Sequence, residues 1–303
     1  MHGFHLSDAD HRLLRGAPPE AALQWAAAAV GTGAHVRSVT PLEGGTSSAV
    51  HALVVEDGAG ARQELILRRF VRAKWRAEEP DVPRREAAVL EVLRASAVPA
   101  PRLVAVDPEG TCADVPAVLM TRLPGRIDWS PADLPTYLRR LAAPLPLIHA
   151  MPVPSEAPIP PYAPYALDLH RAPRWSSRPG VWSRAIEVLE GPAPTHGDAF
   201  IHRDYHPGNV LWVDGQVSGV VDWPCGSIGV PEADVGHCRM NLNGRFGAEA
   251  ADRFLELYQA LTGRTVYHPY WDIVAAIGGM DETIDDHPDP TDERFVAAAV
   301  ARL

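Results

Sequence analysis

Residues 200–223 read FIHRDYHPGNVLWVDGQVSGVVDW and carry most of the chain's chemistry. Val210–Val213 and Val217–Val221 are two short apolar runs, and Asp214-Gly215 between them is a hairpin-turn pair. A hairpin brings its outer ends together. Asn209, just before the first run, therefore meets Asp222, just after the second. An amide oxygen and a carboxylate at one end of a rigid hairpin suit Mg²⁺, which takes one or two carboxylates beside phosphates and waters. Asp204 lies on the loop feeding the same end.

His202-Arg203-Asp204, followed by Asn209, matches the H-R-D-x-x-x-x-N loop of phosphoryl-transfer enzymes, and Asp222 supplies the second metal-binding aspartate. In that pattern Asp204 orients an acceptor hydroxyl and takes its proton, while Asn209 and Asp222 hold Mg²⁺ on nucleotide phosphates. Phosphoryl transfer needs charge neutralisation and in-line positioning more than covalent help. His, Asp and Asn are also common turn formers, so the loop alone is a weak signal. The hairpin and Asp222 strengthen it. THGD at 195–198 opens like a second such loop, but the residue five beyond Asp198 is Arg203, not Asn, so Asp198 reads as a turn or capping residue.

The first half is expected to hold a sheet. Pro18, Pro19 and Glu20 introduce a helix, AALQWAAAAV, that stops at Gly31. Strand-like runs follow at 35–42, 49–56 and 63–70, joined by EGGTSS and EDGAGAR. PRREAAVLEVLRAS then reads as a helix, before two more strands at 102–106 and 116–123. A five-stranded antiparallel sheet carrying helices is the simplest assembly. The run LPGR at 123–126 marks the crossover to a mainly helical second half, which gives an α+β chain with lobes at 1–122 and 123–303. There, 131–150 reads as a helix broken or bent at Pro144 and Pro146, and 152–179 as an irregular, proline-rich excursion. Further helices are expected at 181–190, 232–241, 248–262, 270–280 and 292–303.

The chain has 303 residues, enough for one large domain or two lobes. Three cysteines with no CxxC spacing exclude a disulfide framework and favour a reducing, cytoplasmic setting. No apolar run approaches the ~20 residues that span a bilayer, and MHGFHLSDADHRLLRG has no signal-peptide core. A net charge of −10 argues against nucleic acid or an anionic membrane as partner. Residues 126–303 carry −9 of it, which suits a cationic ligand as well as a merely solvated face. Lys74 is the only lysine, against 27 arginines, so any role usually filled by lysine falls to Lys74 or an arginine.

HRDYHPGN and VVDWPCGSIGVPEAD, residues 220–234, resemble the catalytic and metal-binding stretches of the aminoglycoside phosphotransferase/choline kinase family. The resemblance runs from about Val36 to Asn241 and implies a bilobal, protein-kinase-like fold. It implies that Asp204 is catalytic, that Asn209 and Asp222 bind Mg²⁺, and that Asp234 holds the loop from a helix start. It also implies ATP or GTP as co-substrate. The turn LEGGTSSAV places Gly44, Gly45, Thr46, Ser47 and Ser48 as phosphate-loop candidates. Arg68 on LILRRF stands where the family has Lys or Arg, with Glu86 on the next helix as its partner and Arg69 on the opposite face. Lys74, in a charged run, reads as a surface residue. The strand AVLMTRL resembles the hinge beside the adenine ring, with Met120 and Leu123 lining it.

On the acceptor side, Asp281, Glu282, Asp285 and Asp286 recur at helical spacing, and related antibiotic kinases receive drug ammonium groups on such residues. A solvated acidic cap is the plainer reading of the pattern. Trp175, Trp182 and Trp271 read as packing residues before stacking ones. The expected function is Mg²⁺-dependent transfer of the γ-phosphoryl group to a small-molecule hydroxyl, on an aminoglycoside or other cationic antibiotic (a resistance function). A housekeeping kinase of an amino alcohol, choline-like compound or sugar stands beside it. The contrasting class is a catalytically silent nucleotide binder, which Arg68 in place of lysine leaves open. A metallohydrolase built on HxDxH would need further ligands such as His196 or His237, and no HExxH pattern occurs. A monomer or homodimer is expected.

Overall fold

The computed structural model describes residues 7–43, 45–164, 168–194, 197–280, 282–286 and 288–303. Gly44, His196, Asp281 and the side chain of Glu282, all named above, lie outside the described residues. The chain divides into two units. One is Met1–Pro124 with Pro154–Pro158 and Trp223–Cys225; the other is Gly125–Val153, Ile159–Asp222 and Gly226–Leu303.

The first unit begins with α1 (Asp8–Arg15) and α2 (Glu20–Val30). Strands β1 (His35–Pro41), β2 (Ala49–Glu56) and β3 (Arg62–Arg69) form an antiparallel meander. After α3 (Ala73–Glu78) and α4 (Val82–Leu93) come β4 (Leu103–Asp107) and β5 (Ala117–Thr121). The five strands make one antiparallel sheet in the order β1-β2-β3-β5-β4. Ala22 and Ala26 let α2 approach one face closely, where they pack on Leu53, Val55, Leu65, Leu67 and Leu119. Strand alternation sends Arg68 to the opposite face, where it meets Glu86 of α4. The short, polar α1 escapes an apolar-periodicity reading. Its start is nonetheless written in a capping box, with Ser7 Oγ accepting from Asp10 N and the Asp10 carboxylate accepting from Ser7 N.

The second unit starts with α5 (Leu134–Ala142) and α6 (Pro144–His149). The helix expected over 131–150 is broken at Pro144, which opens a new helix at its first position. Then follow α7 (Pro179–Glu190), β6 (Ala199–Ile201), a 3₁₀ turn (Pro207–Asn209), the hairpin β7 (Val210–Val213) and β8 (Gln216–Val220), and β9 (Ser227–Gly229). The chain ends in α8 (Pro231–Phe246), α9 (Ala248–Thr262), α10 (Tyr270–Ile277) and α11 (Pro290–Val300). Trp182 and Ile186 of α7 pack with Ile273 and Ile277 of α10 and Phe295 and Val296 of α11. The pairing of β6 with β9 is not anticipated by the sequence, since three-residue strands carry no readable alternation. Among the described residues no helix is long and apolar enough to cross a membrane.

Candidate active site

The β7–β8 hairpin turns through Asp214 and Gly215, both at positive φ (48° and 70°), the conformation that matches strand twist. Its pairing closes with Val210 opposite Val220, and Val221 N–H then donates to Asn209 O at 2.9 Å. Asn209 and Asp222 therefore flank the open end of the hairpin. Asp222 stands at φ 72°, a left-handed conformation uncommon outside glycine.

The loop before the hairpin is held from several sides. His202 is fully buried; its Nδ1 accepts from Asp204 N at 3.3 Å, and its Nε2–H donates to Val221 O at 2.9 Å. One ring thus ties the Asp204 backbone to Val221, the residue just before Asp222. Arg203 is also left-handed, at φ 68°. Asp234, in the first turn of α8, accepts from the backbone N–H of His202 (2.8 Å) and of Arg203 (2.6 Å), and His149 Nε2 lies 3.1 Å from its Oδ2. Tyr205 is buried and donates its hydroxyl to Leu141 O.

The Asp204 carboxylate receives Asn209 Nδ2 on Oδ2 (3.1 Å) and His237 Nε2 on Oδ1 (3.0 Å). Asn209 Nδ2 also donates to Asp204 O, so its amide oxygen is left as an acceptor or ligand atom. Burial pushes the Asp204 carboxyl up. The His237 hydrogen bond and the adjacent His237, His206 and His202 rings more than reverse this, holding it well below the usual carboxylate range. Burial pushes His206 down to about 4, against the pull of Asp204.

Asp204, His206 and His237 present ligand atoms within 4.8 Å of one another. The hydrogen bonding gives them another role. His206 Nδ1 accepts from Gly208 N–H at 3.0 Å, so the neutral ring carries its proton on Nε2 and offers no lone pair there. Gly208 is required at this point: a Cβ would stand 2.6 Å from the His206 ring. Of the three histidines around the carboxylate, His237 is the one that donates to it. The oxygen donor set of Asn209 and Asp222 fits Mg²⁺.

In the first unit, Arg68 Nε lies 3.2 Å from Glu86 Oε1, with both side chains buried, and Arg68 Nη1 donates to Ser48 Oγ at 3.3 Å. Cross-strand register puts Arg68 opposite Val118 and Ile66 opposite Met120, so Arg68 and Met120 share a sheet face. Met120 is buried and Leu123 half-buried. Gly45 has no room for a side chain, since a Cβ would sit 2.6 Å from Ser48 O. Thr46 and Ser47 are half-buried beside it, and Thr46 O accepts from Arg72. Arg69, on the other face, pairs with Asp114 at 3.1 Å. Lys74 is exposed and pairs with Glu78.

The acidic stretch near the C-terminus is not an α-helix: Glu282–Asp286 is a 3₁₀ turn. Asp285 is engaged by Arg171 Nη2 and Arg174 N, each at 2.6 Å, so it pins residues 171–174, while Asp286 is exposed. Trp182 and Trp271 are buried, and Trp175 packs edge-on to Trp182. Sequence reasoning considered His237 only as a metal ligand. Its signal was the i, i+3 spacing from Asp234, which sets both side chains toward the same loop.

A family model described as "Phosphotransferase enzyme family" matches residues 38–270. No curated protein matches the chain. Solved structures do. A provisionally named aminoglycoside phosphotransferase of Ralstonia eutropha superposes with a TM-score of 0.61 at 17% identity, over 93% of this chain and 97% of that one. Macrolide 2'-phosphotransferase MphH of Brachybacterium faecium gives 0.58 at 18%, over 93% and 98%. Aminoglycoside phosphotransferase APH(4)-Ia, in ternary complex with AMP-PNP and hygromycin B, gives 0.58 at 16%, over 88% and 92%. These likenesses establish a kinase-like fold, and with the extent of the model match the chain belongs to the phosphotransferase enzyme family.

Proposed function

We propose that this phosphotransferase moves the γ-phosphoryl group of ATP or GTP, with Mg²⁺, to a hydroxyl of a small molecule. The observation that carries this reading is the Asp204 carboxylate, pinned on one oxygen by Asn209 and on the other by His237 beside the hairpin end that bears Asp222. Asp204 accepts the acceptor's O–H and aims its oxygen at the γ-phosphorus. As the new O–P bond forms and the bond to the leaving nucleoside diphosphate breaks, the proton passes to Asp204. So firmly ionised a carboxylate is a weak base, so orientation is its first service and proton transfer comes late. Asn209 and Asp222 would hold Mg²⁺, which when bound neutralises charge on the phosphates. In the first unit, Arg68, anchored by Glu86, is the cation for nucleotide phosphates, with Gly45, Thr46 and Ser47 on the phosphate loop and Leu123 against the base. Ser48 and Met120 support Arg68 and the sheet.

For the acceptor we take the antibiotic class handled by the structural relatives, an aminoglycoside or macrolide. The −9 charge of residues 126–303 favours a cationic compound over an anionic one. Asp285 does not add to that argument, because Arg171 and Arg174 already neutralise it. The test is a mass-spectrometric screen for phosphorylated product with Mg²⁺ and either nucleotide. It would use pools of aminoglycosides, macrolides, amino alcohols and sugars. A phosphorylated antibiotic supports the reading. A phosphorylated amino alcohol or sugar moves the protein to housekeeping metabolism, and no transfer to any pool overturns the acceptor classes named.

A further inference from the structure

We propose that His237 is a positioning residue for phosphoryl transfer, its Nε2–H holding Asp204 Oδ1 so that the carboxylate's open lone pairs face the acceptor hydroxyl. The proposal rests on the phosphotransferase reading of Asp204.

A carboxylate pinned at one oxygen still turns about its last bond. Asn209 pins Oδ2 from the 3₁₀ turn of its own loop. His237 pins Oδ1 from a different element, α8, at 3.0 Å. Two donors on separate elements fix the plane of the group. The second element is itself well anchored. The first six residues of α8 are buried, and its Asp234 grips the backbone of His202 and Arg203, one turn before His237.

His206 does not supply the same contact. Its Nε2 stands 3.8 Å from Oδ1, outside bonding distance, with its ring tilted 60° to that of His237. Its other nitrogen is committed to Gly208. His237 is also a poor candidate for a packing role. Its side chain is 23% exposed, on a helix whose neighbouring positions are buried, and the carboxylate it holds is 33% exposed. Both are therefore within reach of an incoming hydroxyl.

The test compares the full-length protein with His237→Leu, which keeps bulk without a donor, and His237→Gln, whose amide donor reaches to about the Nε2 position. Nucleotide turnover is followed with water and with each acceptor pool. The leucine variant is expected to lose about tenfold or more in kcat, the scale of one hydrogen bond to a charged group. Its nucleotide KM stays within about twofold, and the glutamine variant recovers most of the loss. Equal losses in both variants, or a loss carried by nucleotide KM, overturn the proposal. A second measurement does not depend on turnover: the ¹⁵N spectrum of the His237 ring, in the wild type and in Asp204→Ala. An Nε2-protonated ring that changes when the carboxylate is removed supports the proposal, and an unchanged ring overturns it. A wild type that turns over no nucleotide defeats the phosphotransferase reading instead, and the ring spectrum still decides for or against His237 as the group that holds Asp204.

Discussion

The Asp234 carboxylate accepts the backbone N–H of Arg203 at 2.6 Å, and Arg203 stands at φ 68°. A non-glycine residue there stores roughly 1 kcal/mol or more of strain, which the surrounding contacts must offset. Asp234 offsets it with two backbone bonds from a fully buried position, with His149 beside it. Asp234→Asn turns an amide NH₂ toward one of those donors. Denaturant unfolding is expected to show a loss of about 2–4 kcal/mol, with lower turnover because Asp204 is the next residue. Wild-type stability in that variant would remove the clamp from the account.

Asp204→Asn keeps the shape of the side chain and removes its charge. Turnover is expected to fall about a hundredfold or more, with the fold and nucleotide affinity kept. Steady-state kinetics beside a nucleotide titration separates the two effects, and near wild-type turnover would defeat the assignment.

Asp222→Ala removes the carboxylate from the hairpin's open end and leaves the hairpin paired. Nucleotide binding should lose its dependence on Mg²⁺, seen as one titration curve with and without the ion. A curve that still tightens on adding Mg²⁺ would place the ion elsewhere.

Much of this architecture is legible from the chain alone, for physical reasons. The hairpin is written in Asp214-Gly215 between two apolar runs, and β2 and α9 fall on the expected boundaries because turn residues and helix stops flank them. The Arg68–Glu86 pair follows from strand alternation and one helix. The expected fold class stands. What escaped depends on tertiary approach. His237 meets Asp204 across 33 positions of sequence, and no local pattern encodes which helix face lands on which loop. Asp285 looked like a free acid at helical spacing until Arg171 and Arg174, more than a hundred residues away, folded onto it.

Arg68 is held by a buried partner, so its two roles are separable. Arg68→Met removes the Arg68 cation from the buried Glu86 and is expected to destabilise the protein by about 3–5 kcal/mol. Arg68→Lys keeps the charge but not the fork that spans Glu86 and Ser48. It should fold and show a raised nucleotide KM. A lysine variant with unchanged KM would take Arg68 out of nucleotide binding.

Glu293, in the first turn of α11, accepts Ser177 Oγ at 2.6 Å, Trp182 Nε1 at 3.1 Å and the hydroxyl of Ser176. Burial pushes its carboxyl up. The three side-chain donors more than reverse that and bring it from an ordinary value of 4.5 down to about 2. The folded protein therefore holds the charged form more tightly than the unfolded chain does. On acidification the unfolded chain takes up the proton first. The stabilisation is complete above about 4.5 and is lost progressively as pH falls toward about 2. Glu293→Gln cannot ionise, so it lacks this contribution at every pH. Thermal melts should show the wild type well above the variant at pH 7, with the gap narrowing between pH 4.5 and pH 2. A gap that stays constant across that window would mean that Glu293 holds Ser176, Ser177 and Trp182 by shape and not by charge.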